Sequence, residues 1–248
     1  MLLCAACAPR RAPLPAEVTA LPSASELTSK LRERDTALAS FQGQGRLEYE
    51  GPDGKLRSAS MVVVKAPQKV RIDFRSPFSI TYTVVSDGSE LIAYDRGEKV
   101  LYHGRPTPEN FGRYTHVPVD LSMLASLLRG LPPMPQASAG NVGRVPEGWR
   151  WESPLDDGAR LAIVFDVADL RPVSATLTGS RAGDFTAYFE EYGDVGGIPT
   201  PHRIRAELPN GGKIELSYGI IWRDREHEDA AFRLDAPSGV RIVDMDAT

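Results

Sequence analysis

Four histidines, two cysteines and a few paired acids are the residues of this sequence whose types could do chemistry. His103, His116, His202 and His227 are far apart along the chain, each in a polar context. Glu226-His227-Glu228-Asp229 has donor types that suit a metal, but no second histidine stands nearby, and the run reads as a solvated loop. Asp156-Asp157 precedes Gly158 and reads as a hairpin turn. A carboxylate pair that works as acid and base needs two different environments, which a wet turn does not supply. Gly43-Gln44-Gly45 is a fragment of a phosphate-binding pattern, yet it begins a strand instead of opening a helix, and is expected to mark a bend or a close approach of backbone. No Gly-x-Ser-x-Gly elbow, His-Glu-x-x-His pair, P-loop or calcium loop occurs. The expectation is a protein that is not an enzyme, with no catalytic residue, metal ligand or cofactor.

Both cysteines lie in the first seven residues, Met-Leu-Leu-Cys-Ala-Ala-Cys, so the body of the chain has no thiol nucleophile, cysteine zinc site or disulfide framework. Leu3-Cys4-Ala5-Ala6-Cys7 resembles a bacterial lipobox, with small residues at the cleavage site and then an acceptor cysteine. On that reading residues 1–6 are the residual end of a signal peptide, Cys7 carries the lipid, and residues 7–22, rich in Pro and Ala, form a tether. Leu2-Leu3 is short of the roughly 7–15 apolar residues that a signal core needs, so the translated start is expected upstream. No run of 18 apolar residues occurs that would span a membrane as a helix. A net charge of -4 and the lack of a dense Lys/Arg block leave no footprint for nucleic acid.

The elements that would position a site follow from periodicity. Ser23-Ala-Ser-Glu26 fits a capping box that opens a helix to about Phe41, with Leu27, Leu31, Leu38 and Phe41 on one face. From Gly43 the period becomes two, and six strands follow to His103. Arg105 to Val119, broken by Pro106, Pro108 and Pro118, reads as a connection. Asp120 then caps a helix apolar nearly all round, and Gly130 with Pro132 and Pro133 ends it. After a Pro/Gly/Ala/Ser-rich loop at 132–146 the strands return from Trp149 to Ile220, with a short tail strand near Val240. Short hairpin connections exclude a parallel α/β sheet. The expected fold is mainly β. It is an incomplete, half-open antiparallel β-barrel of about 11 strands, forming a single domain over 23–248 with an N-terminal helix and a mid-chain helix over its apolar face.

Three features carry a family resemblance: the lipobox, the Ser76-Pro77-Phe78-Ser79 loop between two strands, and the pattern Pro118-Val119 … Leu124-x-x-Leu127-Leu128-x-Gly130-x-Pro132. Together they resemble the LolB-like outer-membrane lipoproteins of the LolA/LolB lipoprotein-localisation superfamily, over Cys7 to about Pro133. The resemblance implies an apolar concavity that holds acyl chains beneath a helical lid. Leu47, Val63, Ile72, Phe74, Tyr82, Val84, Met123, Leu124, Leu127 and Leu128 are the candidate lipid-binding residues, and Phe78 is the candidate membrane contact. It also implies a lipid-anchored protein at the periplasmic face of the bacterial outer membrane. Its partners would be acyl chains of lipoproteins or phospholipids, the membrane itself and a LolA-like periplasmic carrier. Such a site needs only a dry surface, worth about 0.8 kcal/mol per buried methylene, and leaves no catalytic motif. The alternative reading is an envelope sensor or protein-binding module built on the same fold.

Overall fold

The computed structural model describes residues 20–247 except 53, 78, 116–118, 137 and 182. Cys7, most of the tether and Phe78 therefore lie outside the described residues. Helix α1 (Ala24–Ala37) starts where the sequence places it: the Ser23 hydroxyl accepts from the Glu26 amide at 3.1 Å, and Leu27, Thr28 and Leu31 are its buried residues. Six antiparallel strands follow: β1 (Ser40–Gly51), β2 (Gly54–Lys65), β3 (Lys69–Arg75), β4 (Ile80–Ser86), β5 (Leu91–Asp95) and β6 (Val100–Gly104). Two helices, α2 (Pro108–Thr115) and α3 (Leu121–Leu128), come next. The second run of strands is β7 (Asn141–Val145), β8 (Gly148–Pro154), β9 (Arg160–Phe165), β10 (Pro172–Thr178), β11 (Phe185–Val195), β12 (Ile198–Glu207) and β13 (Lys213–Arg223). A 3-10 turn at Asp229–Phe232 and strand β14 (Arg241–Asp244) are the last elements of the described residues.

All fourteen strands of the described residues form one sheet in the order β14-β6-β5-β4-β3-β2-β1-β13-β12-β11-β10-β9-β8-β7. Two meanders are thus joined along β1 and β13, and the sheet curls without closing, as a half-open barrel. Four expectations are corrected. Helix α1 stops at Ala37, short of Phe41, which lies in β1 opposite Val64. The proline-marked connection contains α2, because Pro108 occupies the first helical position, where its missing N–H costs nothing, and Thr107 Oγ1 accepts from the Asn110 amide at 3.3 Å. The 132–146 loop contains edge strand β7, with Val142 opposite Trp151. The array is not wholly antiparallel, since β14 runs parallel to β6 at the other edge.

Helix α3 holds its place through its own ends. Asp120 Oδ1 accepts from the Met123 amide at 2.8 Å and from Ser122 Oγ at 2.6 Å. At the other end, Leu131 N–H reaches Ser126 O and Gly130 N–H reaches Leu127 O, a Schellman motif with Gly130 at φ +74°. A Cβ on Gly130 would stand 2.3 Å from Pro201 Cγ, so glycine is needed there for close packing as well as for its dihedral. Leu121, Leu124, Leu127 and Leu128 are buried against the sheet. At 1.5–3 kcal/mol each they contribute about 6–12 kcal/mol as an upper bound, of the order of a whole domain's net stability.

Arg129, the residue after α3, is 2% exposed. Its guanidinium donates to Ala125 O (3.0 Å), Asp35 O (3.1 Å) and Leu38 O (3.5 Å), and forms an ion pair of 2.8 Å with Asp35. Burial pulls its pKa below the ordinary arginine value, and the Asp35 carboxylate opposes that shift. The Tyr218 hydroxyl donates to Leu128 O at 2.6 Å. The C-terminal end of α3 is therefore fastened to both α1 and β13.

The other face of the sheet carries a smaller core of Val63, Val85, Ile92, Tyr94, Leu101 and Phe232, with the 3-10 turn laid across it as a strap. Asp229 takes Lys69 (2.8 Å) and Lys65 (3.0 Å), and Arg71 Nη1 donates to Ala231 O at 3.2 Å. Beneath the strap, buried Asp73 accepts from Arg71 Nε (2.9 Å) and Thr83 Oγ1 (2.8 Å).

Two outcomes follow. Arg129→Met strands Asp35 and the carbonyls of Asp35 and Leu38, a loss of about 3 kcal/mol and roughly 6–12 °C in melting temperature, readable by calorimetry; an unchanged Tm would mean that the pin carries no stability. Hydrogen bonds from Lys69 and then Lys65 lower the Asp229 pKa from 3.8 to about 2. Its pairs therefore stabilise the folded state above about pH 4, and that contribution disappears as the pH falls towards 2. The Tm of Asp229→Asn should lie about 1–3 °C below the parent at pH 7, and the gap should close by pH 2.

Candidate functional site

The face that α1 and α3 pack against is the inner, concave one, and strand register gives its rows directly. Phe41 pairs with Val64 and Val64 with Val70; Gly43 pairs with Val62, Val62 with Ile72, and Ile72 with Val84. One pair further along, Gly45 stands opposite Ser60, Ser60 opposite Phe74, and Phe74 opposite Tyr82. On the other half, Leu216, Ile204 and Phe189 continue the same side. The two glycines of β1 are required by what crosses them. A Cβ at Gly43 would stand 2.3 Å from the Tyr218 ring, which lies edge-on to Phe41 (5.4 Å between centroids) on its way to α3. A Cβ at Gly45 would stand 2.0 Å from Ser217 O, beside a bulge where Gln44 faces Ile220 and Gly45 faces Tyr218. Gly43-Gln44-Gly45 is a site of close backbone approach.

The concavity has two parts. Toward the α1–α3 end it is filled: Val62, Ile72 and Val84 are buried together with Leu124, Leu127 and Leu128 in one continuous core. Toward the β1–β2 hairpin the helices no longer cover it. Leu56, Ser58, Phe74, Ser79, Ile80 and Tyr82 there line an open groove of about 520 Å³, with Thr81 and the β5–β6 turn Asp95-Arg96-Gly97 at its rim. The Phe74 and Tyr82 rings meet edge to face, 5.9 Å between centroids, and form its inner wall.

The candidate lining residues therefore divide. Phe74 and Tyr82 line the groove, and Leu47 is partly buried against the main core. Ile72, Val84, Leu124, Leu127 and Leu128 are in the filled half. Met123 lies beside a small cleft of about 140 Å³ that includes Asp120, Pro67 and Met134. Val63 is a correction: it points to the opposite face and packs under the strap with Val85 and Phe232, because β2 is buried on both faces and its apolar run hides the alternation. Leu56 and Ile80 were not among the candidates, although Ile80-x-Tyr82-x-Val84 alternates visibly and Leu56 continues the Ser58, Ser60 side of β2. Arg129 left no signal, since an arginine between Leu128 and Gly130 reads as an exposed C-terminal cation.

Other depressions of the surface are lined by charged residues, and one of about 440 Å³ has Arg171, Glu190 and Glu191 beside Val173, Tyr188 and Tyr192. A depression of about 380 Å³ at the ends of β1, β2, β12 and β13 is lined by Glu48, Glu50, Glu207 and Glu215 and by Lys55, Arg57, Arg205 and Lys213. Four charges of each sign, paired as Lys55–Glu50 (2.7 Å) and Arg57–Glu48 (2.9 Å), leave a neutral, hydrated lattice. His202 Nδ1 lies 3.1 Å from Tyr218 O, and His227 stacks edge-on with Phe232. Among the described residues no three His, Cys, Asp or Glu side chains gather as metal ligands, and no helix is long and apolar enough to cross a membrane.

No family model and no curated protein matches the sequence. Solved structures do match. A LolA superfamily protein from Nitrosomonas europaea is 16% identical with a TM-score of 0.61, covering 86% of this chain and 98% of its own. A DUF1329 family protein from Desulfovibrio piger is 14% identical with a TM-score of 0.62, covering 85% and 95%. A domain named for outer-membrane lipoprotein sorting, from Vibrio parahaemolyticus, is 12% identical with a TM-score of 0.61, covering 84% and 95%. These likenesses are architectural and do not single out LolB within the superfamily. The half-open sheet, the helices in its concavity and the three neighbours together identify the architecture of this chain as a LolA-like fold.

Proposed function

We propose that this protein binds acyl chains in the concavity of its sheet and, anchored through a lipid on Cys7, accepts or inserts lipoproteins or lipids at the periplasmic face of the outer membrane. One observation carries the reading: the LolA-like sheet keeps part of its apolar face open, with Phe74, Tyr82, Ile80 and Leu56 around a groove. Burying a chain there requires no directed chemistry, only removal of methylenes from water. The lipobox supports the anchor, and the name of the Vibrio domain supports lipoprotein sorting as the task. Phe78, which precedes the groove residue Ser79 in the sequence, is the residue to contact the membrane, and a LolA-like carrier is the donor. The protein acts as a binder and not as an enzyme.

A second reading, a sensor that grips a protein partner, draws on the fastening of α3 by Arg129 and Tyr218, which suits a rigid scaffold. Native mass spectrometry of protein purified without detergent separates the two. The carrier reading expects bound lipid and uptake of a fluorescent acyl probe; repeated recovery of bare protein with no uptake would sink it and leave the sensor. Phe78→Glu should keep the parent Tm and slow transfer of cargo to vesicles, whereas a large drop in Tm would assign Phe78 to the core.

A further inference from the structure

Resting on that reading, we infer that ligand reaches the concavity through the Leu56–Phe74–Ile80–Tyr82 groove while α3 stays in place, and that Arg96 holds the anionic head group of a single-chain amphiphile at its mouth. The first half follows from what lifting α3 would require. Four buried leucines would meet water, Arg129 would lose the Asp35 carboxylate and the carbonyls of Asp35 and Leu38, and Tyr218 would lose Leu128 O. That is on the scale of unfolding the domain, so a helix fastened this way serves as a plug. The groove is already open, and its volume lies within the roughly 300–1,000 Å³ of sites for small organic ligands. That space suits one chain and not a bundle of several.

The second half follows from an inventory of polar groups. Around the groove, Thr81 Oγ1 donates to Phe74 O (3.3 Å), Ser58 Oγ donates to Ala59 O (2.9 Å), and Ser79 Oγ lies 3.3 Å from Ser76 Oγ. Asp95 Oδ1 is folded into its own turn, accepting the Glu98 amide at 3.0 Å. Arg96 is the cation of the lining, and its guanidinium has no ion-pair partner among the described residues. An unpaired arginine at the rim of an apolar groove matches a ligand with one chain and one carboxylate or phosphate.

The test uses the purified, delipidated full chain and the fluorescent fatty acid cis-parinaric acid beside its methyl ester. The acid should bind roughly tenfold more tightly than the ester, Arg96→Gln should bring the two together by weakening only the acid, and Ile80→Glu should weaken both. Displacement by oleate or by lysophosphatidylglycerol tells a carboxylate from a phosphate head, the tighter competitor naming the source. Arg129→Met, or Asp35→Asn where the first variant does not fold, should lower Tm and leave probe affinity unchanged. A tenfold gain in affinity on loosening the pin would place the ligand beneath α3 and overturn the plug. Equal binding of acid and ester in the parent, or an acid–ester ratio untouched by Arg96→Gln, would overturn the head-group site. Loss of all probe binding in the parent would instead remove the acyl-binding function itself.

Discussion

The structure depends on one crossing. Strand β6 lies near one open edge of the sheet and β7 forms the other, so residues 105–140 must carry the chain over a face of the whole array. Only the inner face is apolar enough to take that passage, and α3, apolar almost all round, has nowhere else to satisfy its surface. The ends of the crossing are tied down accordingly. Asn110 and Arg113 of α2 bond to Asp246 and Met245 at the β14 edge, and Arg129 and Gly130 fix the exit from α3 against α1 and Pro201. The curl that makes a concavity and the helix that fills half of it are two results of one connection.

Filling half of the concavity defines the other half. Helix α3 has eight residues, so it reaches only part of the inner face, and the region near the β1–β2 hairpin keeps Phe74 and Tyr82 partly exposed. The same β-rows therefore serve as core at one end and as the wall of an open groove at the other, with no change in residue type between them. Ile72 and Phe74 are neighbours on one face of one strand, yet only the second meets the groove.

Much of this was legible in the sequence because periodicity is local. The α1 cap, the α3 cap and terminator, and the two meanders all follow from patterns within a dozen residues. What depended on distant partners was not legible. Val63 sits in the run Met61-Val-Val-Val64, where both faces are buried because a strap from residues 229–232 covers the second one, and no local pattern announces that strap. Asn141–Val145 became a strand because β8 offered it an edge, and the prolines before Val119 disguised a helix that Pro108 opens. The groove residues Leu56 and Ile80 followed the alternation, but where α3 stops is a matter of tertiary length, not of sequence pattern.

The pairing of β1 with β13 has a consequence for how the chain comes to fold. Phe41 waits for a partner near residue 223, and the β6 edge waits for residues 241–244. During synthesis the first meander is complete long before either partner exists, with a free edge at β1, another at β6 and an apolar face uncovered. Closing contacts of such long sequence separation is slow, so the nascent first half is exposed to wrong pairings for as long as the second half takes to emerge. A chain built this way has reason to depend on a holdase during synthesis, and strand β14 caps the β6 edge only after the thirteen other strands of the described residues have been made.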